Sequence, residues 1–167
     1  MVLIIFGVSG AGKTTIGKLL ARKLGWKFYE GDDFHPSANI EKMRSGIPLT
    51  DKDRGPWLAR LRELIEKTLA SGENAVLACS ALKKKYRDRL RAGDQIRFVF
   101  LHGNREQISK QLRQRHGHFM DPDLLESQFA DLEEPRSEEQ ATIIELGRSP
   151  ETLVHEIRDK LGLGNEE

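Results

Sequence analysis

The run Gly7-Val8-Ser9-Gly10-Ala11-Gly12-Lys13-Thr14 constrains this chain more than any other stretch. It follows an unbroken apolar segment, Val2–Phe6, and opens one of helical period, so it must turn the chain from a buried strand into a helix. Gly-x-x-x-x-Gly-Lys-[Ser/Thr] at such a junction suits a polyphosphate. The glycines let the backbone aim its N–H groups inward, and Lys13 adds a cation near the β- and γ-phosphates. The Thr14 hydroxyl suits Mg²⁺, and the helix N-terminus supplies the favourable end of a dipole. Gly7, Ser9, Gly10, Ala11, Gly12, Lys13, Thr14 and Thr15 are therefore the expected contacts of a nucleoside triphosphate such as ATP.

The rest of the chain alternates in the same way. Apolar, β-branched runs at Val2–Phe6, Lys27–Glu30, Ala75–Cys79, Ile96–Leu101 and Thr142–Leu146 read as strands. Between them, Lys13–Leu24 puts Ile16, Leu19, Leu20 and Leu24 on one helical face and stops at Gly25, and Trp57–Leu69 repeats the pattern. Further helices are expected at Lys83–Arg91, Glu106–Arg115, Asp123–Leu132 and Thr152–Lys160. Such alternation predicts an α/β fold, a parallel sheet of about five strands with helices on both faces. Two stretches fit neither period, Asp32–Gly55 and Arg115–Arg136, and irregular segments of that length in a compact domain are usually functional loops or lids.

A length of 167 residues fits one domain, 1–167, with a substrate-binding segment at about 32–56 and a small lid at about 113–136. The 27 basic residues nearly balance the 26 acidic ones, so no global field favours nucleic acid, and two tyrosines and two tryptophans offer little for base stacking. The apolar N-terminal run is too short for a membrane span or a signal core, and the single cysteine, Cys79, makes no internal disulfide. A cytoplasmic protein is expected, its anion affinity arising at a local site.

Strand carboxyl ends line the ligand crevice of a parallel α/β sheet, which brings Asp32, Asp33 and His35 towards the phosphate loop. A carboxylate there either accepts the proton of an attacking hydroxyl or orients Mg²⁺ through water; as an alternative, the two aspartates merely form a turn. Before the next helix, Asp53 suits a cap and Pro56 a first turn. Arg54 has no such local duty and offers a two-pronged grip on a substrate carboxylate, unless it is simply solvated. Lys83 and Arg87, an i,i+4 pair at the end of the third strand, suit an anionic substrate or a solvated helix face. Arg113, Arg115 and His118 sit where the second irregular stretch begins; arginines on a flap exclude water from a transferring phosphate, and near a helix C-terminus they also favour its dipole.

Taken together, GVSGAGKT, GDDFHPSANIEKMRSGIPLTDKDRGPWL, ACSALKKKYRDRLR and RHGHFMDPDLLESQFADLEEP resemble the gluconate kinases among the phosphate-loop small-molecule kinases. These blocks extend from residue 7 to 135 in the family's order. The resemblance implies a P-loop kinase-like three-layer sandwich similar to shikimate and nucleoside-monophosphate kinases. It also implies transfer of the γ-phosphate of ATP to the 6-hydroxyl of D-gluconate, with Asp32 as base. His35, Arg54, Lys83 and His118 would surround gluconate, and Arg113 or Arg115 would belong to the lid. Enzymes similar to these are often homodimers. The third strand ends Ala78-Cys79-Ser80 without the acid that phosphate-loop ATPases place there, which leaves the rest of a Mg²⁺ shell unassigned. A kinase for another hydroxy acid or a nucleotide, and a nucleotide-sensing module that transfers nothing, are the competing readings.

Overall fold

Val2–Phe6 forms the first strand, β1, and the alternation of its side chains builds two cores at once. Leu3 and Ile5 face a core shared with Ile16, Leu20, Val154 and Ile157, while Val2, Ile4 and Phe6 face one shared with Trp57, Leu61, Ile65 and Leu90. A strand covered on both sides cannot carry polar alternation, hence the continuous apolar run. The computed structural model describes residues 1–114 and 122–164.

The strands β1, β2 (Lys27–Glu30), β3 (Ala75–Ala78), β4 (Ile96–His102) and β5 (Thr142–Glu145) form one parallel sheet in the order β2-β3-β1-β4-β5. Helices α1 (Lys13–Leu24), α5 (Arg105–Gln114) and α7 (Pro150–Leu161) supply one core, and α3 (Asp51–Ala70) and α4 (Lys84–Leu90) the other. The remaining helices are α2 (Ser37–Arg44) and α6 (Pro122–Asp131). With β1 in the middle, the phosphate loop emerges at the centre of the sheet's carboxyl edge, where ligands of such folds bind. Among the described residues no helix is long and apolar enough to cross a membrane.

The expected strands and most helices are present, with ends shifted by one or two residues. Asp32–Gly55 is the correction: it is ordered as a 3₁₀ turn at Gly31–Phe34, helix α2 and the first turn of α3. Helix α2 has no apolar stripe to betray it, because its buried residue is Asn39. Helix α3 starts six residues before Trp57 because Thr50, not Asp53, is its cap: the Thr50 side chain accepts from the Asp53 N–H, and Asp53 reciprocates at the Thr50 N–H. Pro56 therefore lies inside the helix rather than in its first turn.

Candidate active site

The phosphate loop is shaped by its glycines. Gly10 and Gly12 adopt φ of +86° and +93°, and a Cβ on Gly10 would lie 2.5 Å from the Leu112 side chain of α5. The Lys13 ammonium donates to the carbonyls of Gly7 (2.9 Å) and Val8 (3.0 Å). The Thr14 hydroxyl donates to the Glu30 carboxylate, which also caps the 3₁₀ turn bearing Asp32. Burial raises the Glu30 pKa, opposed by the Thr14 hydrogen bond, and the nearby Asp32 charge adds to the rise. Glu30 is thus an acid beside the Thr14 hydroxyl, and the sequence pattern missed it because it sits at the end of β2 rather than β3. Its position three residues before Asp33, on the strand that enters the crevice, was the available signal.

Beside the loop opens a cavity of about 520 Å³ whose lining includes Ser9, Lys13, Asp32, His35, Arg54 and Ser80. Asp32 is exposed to it, on the 3₁₀ turn. That turn is fixed from below: the Trp57 indole donates to the Gly31 carbonyl at 2.8 Å and stacks on the His35 ring at 4.4 Å between centroids. The Asn39 amide lies 3.2 Å from His35 Nδ1 and also donates to the Asp53 carbonyl. With Asn39 donating, Nδ1 accepts and the ring proton sits on Nε2. Burial lowers the His35 pKa, which keeps that neutral, N–H-bearing form at neutral pH.

Helix α6 closes the opposite wall. Leu124, Ser127 and Gln128 line the cavity, and Asp131 follows one turn later, an i, i+3, i+4, i+7 face. The Gln128 side chain grips Ser9 twice, accepting from its N–H at 2.6 Å and donating to its hydroxyl at 2.9 Å. Asp131 accepts from Arg54, whose Nη1 also donates to the Tyr86 hydroxyl at 2.8 Å. Neither Gln128 nor Asp131 stood out in the sequence, although their spacing with Leu124 and Ser127 was there to find.

Residues 9–161 match the shikimate kinase family model. The chain is 48% identical to a probable gluconokinase of Rattus norvegicus, covering 95% of this chain and 90% of that protein. It is 45% identical to a gluconokinase of Gluconobacter oxydans over 93% of this chain and 88% of that one. The crystal structure of a gluconokinase from Sinorhizobium meliloti superposes with a TM-score of 0.88 at 43% identity, covering 96% and 91% of the two chains. The chain belongs to the gluconokinase family.

Within this gluconokinase-family fold the remaining expected site residues separate. Lys83 lies at the start of α4 and pairs with Asp51 at 3.0 Å, outside the cavity lining. Arg87 is a correction: it is 1% exposed, with Nε and Nη2 on the two Glu139 oxygens, Nη1 on the carbonyls of Ala81 and Leu82, and Nη2 also on that of Glu133. With all its donors engaged inside the protein, it has none for a substrate, and it does not act jointly with Lys83. Arg113 is exposed in the last turn of α5, its Nε on the Ser109 carbonyl at 3.4 Å. Thr15 lines a second groove with Lys18, Arg22 and Pro150, and is not among the residues lining the first cavity. Arg115 and His118 lie outside the described residues. Cys79 is buried with its thiol pushed up to about 12 by desolvation, so it is an inert packing group.

Proposed function

We propose that this protein is an ATP-dependent gluconokinase that transfers the γ-phosphoryl group of ATP to the 6-hydroxyl of D-gluconate, giving 6-phosphogluconate and ADP. The observation that carries the reading is that one cavity is lined by the phosphate loop, through Ser9 and Lys13, and by Asp32, His35 and Arg54. A phosphoryl donor and a polar, anionic acceptor can therefore meet in one enclosure.

In this reading the loop amides and Lys13 hold the triphosphate, Lys13 exchanging the carbonyls of Gly7 and Val8 for phosphate oxygens. Arg54 takes the acceptor's carboxylate, and the His35 Nε2–H donates to a hydroxyl along its chain. Asp32 receives the proton of the attacking hydroxyl as the bond to phosphorus forms. Placement and charge do most of the work, since phosphoryl transfer asks little covalent chemistry of the protein. The Thr14 hydroxyl and the Glu30 carboxylate fit Mg²⁺, a cation that takes few protein ligands alongside phosphates. Bound there, it would neutralise charge on the phosphates. A cytoplasmic setting accompanies the reading, since ATP is the donor.

The test is an ADP-release assay over gluconate, shikimate and nucleoside monophosphates. Gluconate is expected to give the highest kcat/KM; a higher value with any of the others overturns the assignment.

A further inference from the structure

Two buried arginines in this protein are paired in opposite ways. Arg87 meets both oxygens of Glu139, at 2.7 and 3.2 Å, and fills its other donors with carbonyls. Arg54 is 9% exposed, and both of its terminal nitrogens reach for one oxygen, Oδ2 of Asp131, at 3.3 Å each. A guanidinium can give a carboxylate two parallel bonds at ~2.7–2.9 Å, one to each oxygen. The contact with Asp131 is longer than that and uses half of the carboxylate, so it offsets the charge of Arg54 without saturating its geometry.

Asp131 is also poorly placed for its own helix. It is the last residue of α6, which has no basic residue in its last turn, and the negative end of a helix dipole disfavours an acid there. What holds this carboxylate is positive charge from other elements: Arg54 of the cavity wall directly, and Lys83 outside the cavity at longer range.

We propose that Asp131 is a specificity-determining residue, an internal carboxylate that occupies Arg54 in place of the acceptor's carboxylate and sets how tightly an anionic acceptor is held. An incoming sugar acid, able to present both oxygens to the fork, displaces a one-oxygen partner. A neutral polyol of the same length has no claim on Arg54 and leaves the pair intact. The inference rests on the proposed function, in which Arg54 receives the acceptor's carboxylate.

The experiment compares the wild type with Asp131→Asn, which keeps an oxygen acceptor for Arg54 but removes the charge. Calorimetry gives the Kd of gluconate, and competition gives the Ki of glucitol, its uncharged counterpart. The expected result is gluconate binding about tenfold tighter with glucitol unmoved, a charge-specific change that a structural role would not produce. Weaker or unchanged gluconate binding, or a parallel shift of both ligands, overturns the proposal. Asp131→Ser is the second variant should Asn fail to fold; if neither folds, the pair is structural and the proposal fails. Absence of gluconate binding and turnover in the wild type would instead overturn the functional reading.

Discussion

The two ends of the cavity are made of different material. The phosphate end is one contiguous stretch, Gly7 to Thr14, and works through main-chain amides and left-handed glycines. The acceptor end is assembled from side chains on and beside the 3₁₀ turn, on α3 and on α6, three separate stretches of the chain, and His35, Arg54 and Gln128 each have a partner in the protein. In the proposed reading the phosphate grip rests mainly on backbone conformation, with Lys13 as the side chain that exchanges its partners there. In the same reading acceptor choice is set by exchangeable side-chain contacts, those of His35 with Asn39 and of Arg54 with Asp131, which do not involve the loop.

Three experiments try that contrast, in falling order of effect. Asp32→Asn should lower kcat by ~10²–10⁴-fold while ATP affinity stays near the wild-type value, as measured by steady-state kinetics and nucleotide titration. An equal loss in both would mean that the two ends are not separable. Gly10→Ala forces a Cβ against Leu112 at a φ of +86°, and overpacking of this kind costs about 1–3 kcal/mol. That cost should appear as weaker ATP binding with gluconate affinity retained; the reverse pattern would break the comparison.

The smallest effect concerns charge away from both ends. His102, at the end of β4, contacts Glu145 at 2.8 Å and Glu134 at 3.0 Å, the latter on the chain leaving α6. Its pKa is raised above the ordinary 6.5, first by the Glu145 hydrogen bond, with burial opposing. Because the folded-state value is the higher one, the stabilisation is full below the unfolded pKa and fades as pH rises through the folded pKa. The melting-temperature advantage of wild type over His102→Gln should therefore be present in acid and vanish in alkali, and it should correspond to no more than ~1 kcal/mol for so exposed a contact. A constant gap across pH would remove the charge from the account.

The same division explains what could be read from the sequence. The five strands and the phosphate loop were legible because their signals are local: a run buried on both faces, or glycines at fixed spacing. Asp32, His35 and Arg54 were legible as candidates through their positions at strand and helix ends. Helix α2 was hidden because a short helix that buries Asn39 has no apolar period. The role of Arg87 was hidden because its deciding partner, Glu139, is 52 residues away. Spacing along the chain could say only that Lys83 and Arg87 lie one helical turn apart, whereas the partners that fill every donor of Arg87 make it part of the scaffold.

The grip of Gln128 on Ser9 joins residues 119 positions apart. During synthesis the nascent chain has its phosphate loop and first helix long before the segment that walls the cavity exists. A contact so remote must overcome the closure entropy of a long loop. Completion of the enclosure thereby waits for α6, and a fragment ending before it would lack the wall that Gln128 ties to the loop.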